Sequence, residues 1–265
     1  MRNRIVAATA ALAAAVVGFA GTAQAGKDLD AVRARGSVNC GVGIGTAGFM
    51  LADSQGKWKG LSVDVCRAVA ATIFGDSEKV RYVPLTSQQR FTAVQSSEVD
   101  IVMGNATYTL TRDTALGLDF TGIYYYDGQG FMVPKKLGVK SAKELNGATV
   151  CVAPGTTTEL NLADYFRANK MTFKPVVIEK VDEIRSAFFS GRCDVYTTDA
   201  SSLAATRAAN VPPPQTIDDY VILPEIISKE PLGPVVRHGD NQFADIVRWA
   251  LYAMVEAEEH GISSK

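Results

Sequence analysis

Apolar positions along the chain recur with two periods, and their alternation predicts one strand-and-helix series twice over. In the first half, short apolar runs at 38–42, 80–83 and 99–103 read as strands. Between them, 63–74 puts Val65, Val69 and Ile73 on one helix face, with Ser62 as its cap, and 88–95 turns Phe91 and Val94 inward. A short helix over 29–35, stopped by Gly36, comes first, and 54–60 is a hairpin tip carrying Trp58. In the second half, strands are expected over 149–153, 176–178 and 194–197, and helices over 159–168, 182–189 and 201–208. Ser141 and Glu144 have the spacing of a capping box. The order β-α-β-α-β in each half is that of a parallel sheet covered by helices, an α/β fold. Stretches near 119–126, 131–133 and 220–223 are extended, and 224–234 is extended but interrupted by prolines. Residues 241–259 form one amphipathic helix whose Phe243, Val247 and Leu251 are a core stripe rather than a ligand site.

The halves mirror each other at their third strands. Asp100-Ile101-Val102 is followed by Asn105, and Asp194-Val195-Tyr196 is followed by Asp199. In open α/β sheets the carboxyl ends of the strands are where small ligands sit, and a cleft between two domains is a common small-molecule site. The first strand runs out into Asn105-Ala106-Thr107-Tyr108-Thr109-Leu110-Thr111-Arg112. A guanidinium matches a carboxylate with two parallel hydrogen bonds, and threonine hydroxyls take its remaining lone pairs. The same eight residues also suit a surface loop with its arginine in water. Gly155-Thr156-Thr157-Thr158 precedes a helix, whose free N–H groups attract anions; it also suits an ordinary cap. Asp199 is placed either to accept an ammonium group or to cap the 201–208 helix. Together, Thr107, Thr109, Arg112, Thr156 and Thr157 on one side and Asn105 and Asp199 on the other suit a zwitterion. Phe49, Trp58 and Gln129 are candidates for reading its side chain. The glycine-rich run 43–49 lacks the spacing of a dinucleotide fingerprint and the Lys-Ser/Thr ending of a P-loop.

The amino terminus changes the setting. Met1-Arg2-Asn3-Arg4, an apolar run through Ala20 and the ending Ala23-Gln24-Ala25 make a secretory signal peptide over 1–25, with Gly26 the first mature residue. Its removal leaves 25 of the 27 basic residues against 28 acidic ones, so the mature net charge is about −3 and carries no nucleic-acid footprint. Four cysteines in an oxidising compartment are expected to pair. Of the three connectivities, Cys40–Cys66 with Cys151–Cys193 is the simplest and gives each half one staple. No CxxC occurs and only two histidines are present, so neither a metal nor a cofactor is expected.

Several long runs resemble one family. They are 125–133 (Tyr-Tyr-Asp-Gly-Gln-Gly-Phe-Met-Val), 155–166 (Gly-Thr-Thr-Thr-Glu-Leu-Asn-Leu-Ala-Asp-Tyr-Phe), 191–199 (Gly-Arg-Cys-Asp-Val-Tyr-Thr-Thr-Asp) and 222–234. The chain is similar to the periplasmic solute-binding proteins of ABC transporters, in particular the general L-amino-acid-binding subfamily, and the match spans most of the mature chain. The resemblance implies two α/β lobes joined by two extended crossings. Lobe 1 would be discontinuous, 26–132 plus 231–265, and lobe 2 would be 137–224, with crossings near 131–136 and 225–234. It implies a monomer that closes around one L-amino acid, polar or acidic or general, and delivers it to a membrane permease. The family's Thr-x-Thr-x-x-Arg motif for the carboxylate matches Thr107, Thr109 and Arg112, and its aspartate for the ammonium matches Asp199. Gly104 and Ala153-Pro154 depart from the usual residues beside the site. Relatives continue well beyond a position like Lys265, so helices covering the first lobe are expected to be missing here. A periplasmic dehydratase-like enzyme acting on a carboxylate and a ligand sensor for a receptor are the alternatives. His238 and His260 fall outside the expected cleft, which argues against acid–base catalysis.

Overall fold

Short strands with buried faces assemble into two five-stranded sheets, one from each half of the chain. The computed structural model describes residues 26–263, and the expected signal peptide lies outside the described residues. The first half comprises α1 (Lys27–Arg35), β1 (Val38–Val42), β2 (Leu51–Ala52), β3 (Trp58–Lys59), α2 (Leu61–Phe74), β4 (Val80–Pro84), α3 (Arg90–Gln95), β5 (Ile101–Val102), α4 (Leu110–Thr114), β6 (Leu118–Phe120) and β7 (Tyr125–Asp127). The second comprises β8 (Gln129–Pro134), β9 (Thr149–Val152), α5 (Thr157–Ala168), β10 (Lys174–Val177), α6 (Val181–Phe189), β11 (Val195–Asp199), α7 (Ala200–Ala209) and β12 (Tyr220–Ile222). The chain then returns through β13 (Glu230–Leu232), β14 (Val235–Arg237) and α8 (Asn241–Glu259).

Both sheets share one plan. The first has the order β4-β1-β5-β14-β6 and the second β10-β9-β11-β8-β12. Three strands are parallel in each, and the fourth, β14 or β8, enters antiparallel. All five residues of β1 are buried, as parallel strands covered on both faces require. In the first lobe α2 and α8 pack together, with Val65 and Val69 against a cluster that includes Phe243, Val247 and Leu251. In the second, Leu162 and Phe166 cover one face of the sheet beside Phe131 and Val150, while Ile184 and Phe188 join Tyr196 and Tyr220 in a separate cluster. Asp100 and Asp194 play matching parts: each carboxylate accepts a backbone N–H near the start of a neighbouring strand, from Asn39 at 2.7 Å and from Thr149 at 2.8 Å. Cys40 of β1 is bonded to Cys66 of α2, and Cys151 of β9 to Cys193 just before β11. Among the described residues no helix is long and apolar enough to cross a membrane.

Some expectations shift. Residues 131–134 lie inside β8 in the second sheet, so the chain first passes between the sheets at β7 and returns at β13. These two strands pair antiparallel, with Asp127 opposite Glu230 and Tyr125 opposite Leu232. Ser62 is not a cap; α2 begins at Leu61, two residues earlier, after Gly60, whose φ of +120° lets the chain turn into the helix. The Ser141 hydroxyl accepts the Lys143 N–H over a single 3-10 turn, and the Glu144 carboxylate reaches the Lys140 N–H instead of closing the box. Residues 110–114 form the short helix α4 rather than a polar strand exit.

Candidate functional site

The carboxyl ends of the parallel strands from both sheets converge on one cleft. Val42 and Gly43 after β1, Leu85 after β4 and Gly104 and Asn105 after β5 line one wall; Thr156 and Thr157 after β9, Glu179 after β10, and Thr198 and Asp199 of β11 line the other. The atom-free space is about 840 Å³, part of it open to solvent. The walls touch at several points. The Thr86 hydroxyl donates to the Glu179 carboxylate at 2.7 Å, the Arg185 guanidinium to the Gly45 carbonyl at 2.7 Å, and the Thr107 and Thr157 hydroxyls lie 3.3 Å apart. Gly155, at φ +70°, meets Gln88 of the facing lobe, and a Cβ there would stand 3.4 Å from the Gln88 backbone.

Of the expected ligand residues, Asn105, Thr107, Thr156, Thr157 and Asp199 line the cleft, whereas Thr109 and Arg112 are not among its lining residues. Asn105 holds a left-handed backbone, φ +48°, and its side-chain oxygen accepts the Tyr124 hydroxyl at 3.1 Å. Thr109 caps α4, its hydroxyl accepting the Arg112 N–H at 3.3 Å. That cap fixes the turn carrying Arg112, which is 7% exposed and donates to the Thr107 carbonyl at 2.8 Å. The Arg112 guanidinium carbon lies over the Phe91 ring, 4.8 Å from its centroid, a cation–π contact that helps hold it. Thr156 caps α5, accepting the Glu159 N–H at 3.1 Å and leaving Thr157 at the first helical position. Asp199 occupies the cap position of α7 but makes no side-chain capping bond. Its carboxylate is therefore not consumed by the helix.

Three charged residues that the sequence reading passed over complete the site. Arg90 is 5% exposed and lines the cleft; it donates to the carbonyls of Gly104 at 2.6 Å and Asn105 at 3.2 Å, and its Nε has no partner. Arg185, 7% exposed, lines the cleft from α6, binds Asp182 at 3.1 Å, and likewise has an unpartnered Nε. Glu230 lies buried on the returning crossing, beside Thr107 and Thr157. Each sits where charge periodicity points to solvent. The one available signal was Arg90 following a strand exit at the same sheet edge as Asn105. Phe49, Trp58 and Gln129 are not lining residues. Phe49 packs edge-on against Tyr125, Trp58 against Tyr82, and the Gln129 amide supports the second lobe by donating to the Thr158 carbonyl and the Thr197 hydroxyl, both at 2.9 Å.

The charges are strongly coupled. Burial pushes the Asp199 carboxyl up to about 8; Asp127 and Glu230 add to the rise, while Arg90 and Arg112 oppose it. Burial and the neighbouring Arg112 draw Arg90 down to about 9, and burial draws Arg112 to about 10, against the pull of Glu230 and Asp199. Both guanidiniums stay charged at neutral pH. Two buried guanidiniums, Arg90 in the lining and Arg112 outside it, thus couple to the buried Asp199 carboxyl, which holds its proton more tightly than usual. Neither His238 nor His260 lines it.

A family model described as bacterial extracellular solute-binding proteins, family 3, matches residues 38–264. The chain is 52% identical over 263 residues to the general L-amino acid-binding periplasmic protein AapJ of Rhizobium johnstonii, covering 99% of this chain and 75% of that one. It is 56% identical, with the same coverage, to the glutamate/glutamine/aspartate/asparagine-binding protein BztA of Rhodobacter capsulatus. A solved periplasmic binding protein from Brucella ovis with glutathione bound superposes with a TM-score of 0.84 at 56% identity, covering 89% of this chain and 73% of that one.

Proposed function

This chain belongs to the bacterial extracellular solute-binding proteins of family 3, and we propose that it captures L-amino acids with polar or acidic side chains in the periplasm, as a monomer, for the membrane permease of an ABC transporter. Solute binding rather than catalysis is the activity of its relatives. One observation carries the choice of ligand: Arg90 of α3 and Arg112 of α4 are both buried and both couple to the buried Asp199 at the end of β11. The two guanidiniums, with the backbone N–H groups of the amino-terminal turn of α5 at Thr156 and Thr157, take the α-carboxylate, and Thr107, its hydroxyl donating to Glu230, packs beside them. Asp199, with Asn105, takes the ammonium. Thr109 positions Arg112. A ligand lacking either charge leaves a buried partner uncompensated, which costs about 3–5 kcal/mol.

Arg185 supports the polar or acidic class. It lines the cleft from α6, and its guanidinium keeps an unused donor. A side-chain carboxylate or amide suits it. Closure of the lobes about the β7–β13 pair encloses the ligand.

A second reading rests on the glutathione-bound neighbour. Glutathione carries a free α-amino-acid end and presents the same carboxylate and ammonium. A thermal-shift screen of the mature chain tests both readings, using the twenty L-amino acids, glutathione, and glutarate as the amine-free counterpart of glutamate. A ligand at 1,000 times its Kd adds about 4 kcal/mol to the native state. Stabilisation by glutamate, aspartate, glutamine or asparagine but not by glutarate is the expected result. Stabilisation by glutathione alone favours the second reading, and no shift with any of them refutes both.

A further inference from the structure

Glu230 is the most completely bonded carboxylate near the cleft. It is 1% exposed and lies on β13, where the chain returns to the first lobe. One oxygen accepts the Thr157 hydroxyl at 2.8 Å and the Thr107 hydroxyl; the other accepts the Asn161 amide at 2.8 Å and the Ser228 hydroxyl at 2.6 Å. Thr107 belongs to the first lobe, where it bridges to Leu232. Thr157 and Asn161 are one turn apart on α5 of the second lobe. Among the described residues no cation lies within ion-pair distance of Glu230, so hydrogen bonds carry the burial of its charge.

We infer that Glu230 is a positioning residue for ligand capture, a carboxylate clasp whose donors come together only when the two lobes are shut. Whichever lobe the crossing follows on opening, one set of donors leaves. Water replaces those bonds, but only the shut form has all four in place without ordering solvent. The inference rests on the proposed amino-acid binding for its effect on affinity. The clasp itself is a property of the ligand-free chain. Because the clasp favours the shut form, weakening it should speed ligand release without slowing capture. Glu230 also holds the Thr107 and Thr157 hydroxyls in one orientation, so the ligand carboxylate meets Arg90, Arg112 and the backbone N–H groups of α5 rather than those hydroxyls.

Two variants test this. Glu230→Gln keeps the shape but turns one acceptor oxygen into a donor group. Asn161→Ala removes one second-lobe donor from a residue that does not line the cleft. Stopped-flow ligand release and equilibrium titration with L-glutamate, and small-angle scattering of the ligand-free chain, are the readouts. A charge-assisted hydrogen bond is worth about 1.5 kcal/mol or more, which is about tenfold in an equilibrium constant. Glu230→Gln is expected to raise Kd about tenfold through faster release, and Asn161→Ala several-fold in the same way. Ligand-free Glu230→Gln should scatter as a more open particle than the wild type. A lower melting temperature with release and scattering unchanged makes Glu230 merely structural and overturns the inference. Tighter binding in Glu230→Gln makes it a competing anion and overturns it too. If Glu230→Gln does not fold, Asn161→Ala decides. If the wild type binds no amino acid, the proposed function fails while scattering still decides the clasp.

Discussion

Capture of a zwitterion at Asp199 is expected to release a proton. Burial, Asp127 and Glu230 hold this carboxyl at about 8 in the empty cleft, so at pH 7 about nine-tenths of the molecules carry it protonated. An ammonium ion seated against it favours the ionised form, and the proton must leave. The observed affinity then scales with the ionised fraction, about one-hundredth at pH 6 and one-half at pH 8. Kd for a neutral-side-chain ligand such as glutamine should therefore fall about fifty-fold between those values, equivalent to about 2.3 kcal/mol. Titration calorimetry at pH 7 in two buffers of different ionisation enthalpy should report about 0.9 protons released per ligand bound. Asp199→Asn should lose both the slope and most of the affinity. The same shift has an opposite face in stability. A folded-state value raised from 3.8 means that the native state binds the proton more tightly, so the carboxyl destabilises the fold increasingly as pH rises from about 4 to about 8. Ligand-free Asp199→Asn should thus melt at a higher temperature than the wild type at pH 8. A Kd that is flat from pH 6 to 8, with no proton released, would refute the assignment of the ammonium to Asp199.

Other expectations are more direct. Arg112→Ala removes a buried guanidinium that Glu230 and Asp199 both favour, and binding should weaken by more than a hundredfold while the melt stays cooperative; wild-type-like affinity in a titration would remove the carboxylate role. Arg185→Met should cost glutamate and aspartate about ten- to a hundredfold and alanine little, and an equal loss for all three would assign Arg185 to lobe contact alone. Denatured, unreduced mature protein should show essentially no free thiol in a colorimetric titration, and reduction should lower its melting temperature, since bridges spanning 26 and 42 positions each remove about 3.5–4 kcal/mol of unfolded-chain entropy.

The strands and longer helices were legible because burial imposes a period. Val65, Val69 and Ile73 recur at helical spacing, and the strand 38–42 is apolar end to end because both its faces are covered. Asn105 and Asp199 were legible as polar residues just past or at the end of an apolar run. Arg90, Arg185 and Glu230 were not, because a charged residue on an amphipathic helix or a proline-bounded crossing reads as solvated. Only the meeting of two lobes buries it. Arg112 was legible by its motif, whereas the one-turn helix α4 that carries it was not, being too short to have a period. The antiparallel entry of β8 escaped for a similar reason: its partners β11 and β12 are far along the chain, and no local pattern records them.

The insertion of β14 between β5 and β6 orders how the molecule can be built. Val235 pairs with both Val102 and Phe120, so β6 has no place in its sheet until a strand made after the whole second lobe arrives. The second sheet, by contrast, draws all five strands from one unbroken segment, β8 to β12. A nascent or translocating chain can therefore complete its later lobe first and must hold the earlier one unfinished, with the β5 edge unpaired. Such long-range closure slows folding and leaves a strand edge open to other chains. The vulnerable interval in this protein's life is the time before residues 235–237 emerge.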